Sequence, residues 1–268
     1  VYTSNAGSNN VSKIAPDGAS AILGTTGSIP LAIALDAAGN VYTANRDSNT
    51  VSKIAPDGTS AILATTGSLP RAIAIDAGGN VYTANRDSDN VSKITPDGSS
   101  TLFGTTGDYP LGIAIDAGGN VYTANALSND VSKITPDGSS IIFGTTGTTP
   151  LAIALDAAGN VYTTNRDSDT VSKIAPNGIS GILGTTGNSP RGIEVDAAGN
   201  VYTANYFSDT VSKITSNGIS TILGATGSSP YGIAIDAAGN VYTANYLGNT
   251  VSKITDSSTV TFPATGDT

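Results

Sequence analysis

Residues 31–70 read LAIALDAAGN VYTANRDSNT VSKIAPDGTS AILATTGSLP, and the same frame returns along the whole 268-residue chain. Val-Tyr-Thr recurs at positions 1, 41, 81, 121, 161, 201 and 241, a spacing of 40 residues held without an insertion. A fixed period of this size marks a repeat architecture, in which each unit buries its apolar faces only against its neighbours. Four β-rich runs fill the period, each closed by turn residues. The first is Ala32–Leu35. Asp36-Ala37-Ala38-Gly39-Asn40 then turns the chain, with Asp opening the turn and Gly free to take a positive φ. Val41–Ala44, a longer loop over residues 45–49, Thr50–Ile54, the turn Pro56-Asp57-Gly58 and Ser60–Leu63 complete the unit.

No apolar 3.6-residue spacing survives turn signals every eight to twelve residues, so no helix is expected. Four antiparallel strands in about 40 residues make the blade of a β-propeller. The expected class is therefore all-β, a propeller of four-stranded antiparallel blades. With the runs labelled A to D from the centre outward, A occurs at Ile33, Ile73, Ile113, Ile153, Ile193 and Ile233, whereas B, C and D each occur once more. That total is one strand short of seven complete blades and three more than six blades hold. Seven blades with one inner strand missing is the expected count; six blades with an N-terminal flap is the alternative. Residues 1–30 form a partial B-C-D blade, and units span 31–70, 71–110, 111–150, 151–190, 191–230 and 231–268, read together as one propeller domain over 1–268. The absent A strand would have to come from beyond Thr268, from before Val1 or from another molecule, so an oligomer through the incomplete blade is one way to close it. The chain opens at Val1 inside a repeat, which predicts a piece processed or excised from a longer product.

Composition narrows the function. There is no Cys, Met, His or Trp, and the net charge is −9. Disulfides and thiol chemistry are excluded, and the commonest general base and metal ligand is missing. The acidic balance disfavours nucleic acid. No stretch has the ~20 apolar residues that would insert in a bilayer as a helix.

The unit P-x-x-I-A-x-D-x-x-G-N-V-Y-T-x-N-x-x-S-x-x-V-S-K-I-x-P-D-G resembles the NHL repeat, and Val-Tyr-Thr-Ala-Asn with Ser-Asn-Thr-Val-Ser resembles the YVTN repeat of microbial surface-layer propellers. Val91-Ser92-Lys93-Ile94-Thr95-Pro96-Asp97-Gly98 is similar to the streptogramin-lyase propellers. The likeness covers the whole chain and implies a propeller; function is a separate question, because propellers host unrelated activities. The lyase resemblance implies a catalytic His that this chain lacks.

Variation between copies points to a face. The Asp-x-x-Gly-Asn turns are intact in all six copies, and the Pro-Asp-Gly turn softens only at 176–178, 216–218 and 256–258. The larger changes fall in the D–A connections and the B–C loops, which alternating strand direction places at one end of the blades. All five Arg (Arg46, Arg71, Arg86, Arg166, Arg191) lie there, as do Tyr109, Tyr206, Phe207, Tyr231 and Tyr246. The seven Lys all occupy one repeated C-strand position, and Phe103, Phe143 and Phe262 read as D-strand packing. Tyr206, Phe207, Tyr231 and Tyr246 should form one aromatic sector; Arg71 with Arg86, and Arg166 with Arg191, should form more polar ones. Arg and aromatic side chains are recurrent in recognition surfaces, although loops also drift for lack of constraint.

Other candidate chemistry reads as structure. Asp87/Asp89 and Asp167/Asp169 lack the continuation of a calcium loop. The Asp36 series opens turns, and the Asn45 series is expected to cap the B–C loops through side chain to backbone bonds. Asn10-Val11-Ser12 and Asn90-Val91-Ser92 match a glycosylation sequon only because the repeat contains it. Glu194, the single Glu, replaces an inner-strand Ala and could sit beside Arg191. The expectation is a binding module without catalytic residues, metal or cofactor, secreted or on a cell surface, that contacts a glycan or a protein. The alternatives are a surface-layer scaffold without a ligand site and, more weakly, a metal-dependent hydrolase or lyase.

Overall fold

The computed structural model describes residues 1–255 and 258–263, which form a seven-bladed β-propeller. Six sheets have four antiparallel strands, and the first, Tyr2–Asn5, Asn10–Ile14 and Ser20–Thr25, has three. The six-blade alternative is thereby corrected: residues 1–25 make a sheet of their own, with three strands among the described residues, one short of the other blades as expected. The softened turn at 256–258 begins outside the described residues. The strands fall into two compact units, residues 1–123 with 132–142, and residues 124–131 with 143–263.

In the first unit, the blade Pro30–Thr65 shows why the repeat folds as it does. Its strands are Pro30–Leu35, Val41–Asn45, Thr50–Ile54 and Ser60–Thr65, in that order across the sheet. Side chains alternate between faces. Pairing of Tyr42 with Lys53 and Ala44 with Val51 puts those four on one face; Val41 with Ile54, Thr43 with Ser52 and Asn45 with Thr50 share the other. Tyr42, Ala44 and Val51 then pack against Ile73, Val81 and Ile94 of the next blade. The B strand is buried on both faces, which is why it varies least. The Lys53 Nζ lies 5.5 Å from the Tyr42 ring centroid, so the repeated Lys covers the aromatic face while its charge reaches water. The second unit repeats this with Tyr162 and Val171 against Ile193, Val201 and Ile214. Phe103 packs edge-on against Tyr82 at 5.1 Å, the packing role expected of the D-strand Phe.

The turns are specified by hydrogen bonds. Asp76 accepts from the backbone N–H of Gly78 and Asn80 (both 2.9 Å), from Asn80 Nδ2 (2.8 Å) and from the Tyr82 hydroxyl (3.1 Å). The Asp36 series is thus structural, as expected. In the C–D turn, Gly98 has φ +89 and its missing Cβ would lie 2.9 Å from the Leu63 carbonyl oxygen of the preceding blade. Asn can replace Asp in this turn, since Asn177 Oδ1 still accepts from Ile179 N–H, and both copies with Asn, at 176–178 and 216–218, keep the Gly. Gly98→Ala is expected to cost about 2–4 kcal/mol, combining a left-handed backbone with a backbone clash that no rotamer relieves. Urea unfolding would read it, and a loss under about 0.5 kcal/mol would remove this account of the turn.

Candidate functional site

The two varied segments of each blade are bolted together through backbone. The variable residue of the D–A connection has a left-handed φ in every copy: Ile29 52°, Leu69 52°, Tyr109 66°, Thr149 56°, Ser189 58° and Ser229 58°. For β-branched Ile29 and Thr149 this is strained. Two bonds hold it. Its N–H donates to an Asn or Asp of the preceding B–C loop, as Ser189 does to Asp169 Oδ1 (2.7 Å) and Ser229 to Asp209 Oδ1 (2.7 Å). The carbonyls of Ile29, Leu69, Thr149, Ser189 and Ser229 accept from the following B–C loop, as from Tyr206 N–H (3.0 Å) and Tyr246 N–H (2.9 Å). Backbone fixes the position, so the side chain is free to differ between blades. These bonds also occupy Asp89 and Asp169, the supposed calcium-loop residues.

Beneath the loops lies a buried polar network. Asn45 is fully buried; Thr43 Oγ1 donates to its Oδ1 (2.8 Å), and its Nδ2 donates to Thr50 Oγ1 (3.0 Å) and Ser52 Oγ (2.8 Å). Ser52 Oγ in turn accepts from Gly27 N–H (3.0 Å) of the connection entering the blade. The expected side chain to backbone capping is corrected: Asn45 joins side chains, because its face of the sheet already carries Thr43, Thr50 and Ser52. The sequon residue Asn10 holds the place of Thr50 in the first blade, accepting from Asn5 Nδ2 at 2.6 Å while buried.

In the first unit, the loop arginines turn inward on their neighbours. Arg46 Nε pairs with Asp47 at 2.5 Å and Arg86 Nε with Asp87 at 2.6 Å. The Arg86 guanidinium also stands 4.6 Å from the Tyr109 ring centroid. Arg71 is the second residue of the A strand Pro70–Ile75 and is half-buried. A cavity of about 430 Å³ lies between two A–B turns, lined by Ile75–Gly78 and residues 115–119, but its carboxylates, Asp76 and Asp116, are committed to the turn bonds.

In the second unit, Arg166 pairs with Asp167 through Nε (2.6 Å) and Nη2 (2.9 Å), and Thr149 Oγ1 donates to the same carboxylate at 2.6 Å. Those bonds hold the Asp167 carboxyl down at about 2. The four aromatic residues come together as expected. Tyr206 meets Phe207 edge-on at 5.0 Å and Tyr231 at 6.4 Å, and Tyr231 meets Tyr246 at 6.5 Å. Arg191 joins this sector: its guanidinium carbon lies 4.1 Å from the Tyr206 centroid and 4.9 Å from that of Tyr231. It makes no ion pair with Glu194, whose carboxyl is pushed up by burial. Phe207 is 69% exposed, Tyr246 59% and Leu247 64%. Leu247 stands outside the candidates named from the sequence; it fills the slot that Asp47 fills after Arg46, and the loss of that acid is what sets it apart.

No group of three or more acidic residues able to hold a metal occurs among the described residues, and no helix there is long and apolar enough to cross a membrane. The fold is similar to that of a catalytically inactive virginiamycin B lyase from Staphylococcus aureus, which carries alanine for a histidine and was solved with quinupristin: TM-score 0.78, 18% identity, 88% of this chain and 84% of that one. It is also similar to hydrazine synthase from Kuenenia stuttgartiensis (TM-score 0.73, 18% identity, 84% and 76% covered) and to a chain of a nidogen/laminin complex (TM-score 0.67, 17% identity, 82% and 92% covered). At such identities the likeness is one of fold. No curated protein matches the chain. The model of the virginiamycin B lyase family matches residues 1–211, a stretch that includes the Val91–Gly98 segment similar to the streptogramin-lyase propellers, and the chain belongs to that family.

Proposed function

We propose that this chain is a non-catalytic recognition module, secreted or at a cell surface, that holds a protein segment on the aromatic sector of its second unit. The carrying observation is the continuous set of rings Phe207, Tyr206, Tyr231 and Tyr246, exposed at both ends and stiffened by Arg191. Pre-positioned aromatic residues contribute large contact area with little ordering cost. Phe207 and Leu247 have no polar group to offer a sugar, which favours protein over glycan. The occurrence of this fold in a nidogen/laminin complex accords with that choice. The family is named for a lyase, yet the staphylococcal lyase is inactive without one histidine and this chain contains no His at all.

A displayed peptide library and a glycan array would test the reading. Peptide retention is expected, with a loss of tenfold or more in Tyr206→Ala/Tyr231→Ala (about 1.4 kcal/mol or more) at unchanged melting temperature. Retention untouched by the double substitution would sink the site, and retention of glycans alone would move the partner to a saccharide.

A further inference from the structure

We infer that the segment held here carries a carboxylate next to an apolar side chain, and that Arg191 receives the carboxylate; this rests on the recognition reading above. Three loop arginines are neutralised by the residue that follows them, Arg46 by Asp47, Arg86 by Asp87 and Arg166 by Asp167. Arg191 is different. Among the described residues its guanidinium has no carboxylate and no hydrogen-bond acceptor, only the faces of Tyr206 and Tyr231. In the two B–C loops that supply Tyr206 and Tyr246, the slot of Asp47 holds Phe207 and Leu247 instead. The acids that quench the other arginines have been replaced by apolar side chains here.

A second observation points to the same place. Two buried side-chain polar atoms among the described residues lack any partner: Arg191 Nε and Ser189 Oγ. They belong to a single D–A connection, and Ser189 is 97% buried (3% exposed). Unsatisfied buried donors are rare in folded proteins and mark places where a ligand or water completes the bonding. The two Nη atoms are not among the buried orphans, so they meet solvent. A guanidinium fixed by ring stacking keeps its planar edge available for a bidentate carboxylate. The chain as a whole, at net charge −9, repels anions. An uncompensated Arg with the adjacent acids removed is the local arrangement that reverses this. Glu194, three residues along the same strand, does not neutralise it. The apolar part of the ligand would lie on Phe207, Tyr246 and Leu247.

Carboxylate could come from an acidic side chain or from a chain terminus. Four small probes separate these: acetyl-glutamyl-phenylalaninamide and its glutaminyl counterpart, and acetyl-phenylalanine and its amide. The readout is the Nε–H signal of Arg191 in isotope-labelled protein, one of five arginine signals, assigned through Arg191→Lys. At least one carboxylate probe should bind roughly tenfold or more tightly than its amide, the preference shrinking as salt rises from about 50 to about 300 mM; the tighter carboxylate identifies the source. Arg191→Gln, which lacks that Nε–H and is read through the backbone amide signals of Ser189 and Phe207, should abolish the preference. So should Phe207→Asp, which restores the acid of the sister loops at an exposed position and leaves the fold intact. Equal binding of acid and amide overturns the inference while the recognition reading stands. A preference that survives both substitutions also overturns it. No shift from any probe at about 10 mM overturns both readings.

Discussion

Asn85→Ala is expected to cost about 3–5 kcal/mol of stability, because it strands several buried polar groups at once. Asn85 is fully buried; its Oδ1 accepts from Thr83 Oγ1 (3.0 Å), and its Nδ2 donates to Asn90 Oδ1 and Ser92 Oγ (both 2.8 Å). Ser92 also accepts the Gly67 N–H (3.0 Å), so the loss extends into the connection that positions the next display residue. A double substitution tests the network rather than the residue. A Cβ on Gly67 would lie 2.7 Å from Asn85 Nδ2 and 2.6 Å from Ser88 Oγ. Gly67→Ala should therefore be costly in the parent and cost less once Asn85 is Ala, a coupling of about 1 kcal/mol or more. Urea melts of the four proteins would measure it. Additive effects, or an Asn85→Ala loss below about 1 kcal/mol, would mean that the network is not a support for the loops.

The fold is legible in the sequence to the extent that residues repeat. Tyr42, Lys53 and Pro56 to Gly58 recur at fixed spacing, and spacing alone gave strand order, turn type and blade count. The role of Asn45 does not follow from spacing although it also repeats. A loop-end Asn usually caps backbone, and only the alternation of Thr43, Asn45, Thr50 and Ser52 onto one face reveals a side-chain network. The gathering of Tyr206, Phe207, Tyr231 and Tyr246 was legible because one period separates Tyr206 from Tyr246. The place of Arg191 was not. It lies at the start of an A strand, where Gly192 backs onto the Tyr231 carbonyl of the next blade, its Cβ position 2.7 Å away. Such close approach carries the Arg side chain toward Tyr231, a consequence of packing distance that no period encodes.

Acid should unfold this protein through its turns, and added salt should change that little. Burial opposes the charged form of Asp76, but bonds from the Asn80 side chain, the Asn80 backbone, the Tyr82 hydroxyl and the Gly78 backbone outweigh it and lower its pKa. Asp36, Asp116, Asp156 and Asp196 are lowered by the same set, and Asp236 by its Asn240 bond first. A carboxyl whose pKa is lower folded than unfolded contributes stability that is complete above the unfolded value, near 4, and lost as pH falls through the folded one. Six such groups titrating together predict a flat stability profile from neutral pH down to about 5, then a steep fall. The alkaline limit has the opposite sign. Tyr82, Tyr122 and Tyr162 have raised pKa values, from burial and from the adjacent Asp, so their contribution is complete below about 10 and declines above it. Because the donors to Asp76 are amides and a hydroxyl, screening has no ion pair to weaken, unlike Arg46–Asp47. Asp76→Asn should cost about 1–2 kcal/mol at pH 7, a value reduced by partial exposure, because the new amide opposes the donors of Asn80 and Tyr82. That deficit should shrink as pH falls and the parent carboxyl protonates. Thermal melts of both proteins from pH 7 to about pH 2, at low and high salt, would decide it. A deficit constant with pH, or an acid midpoint that moves strongly with salt, would place the acid sensitivity in surface charge instead of the turns.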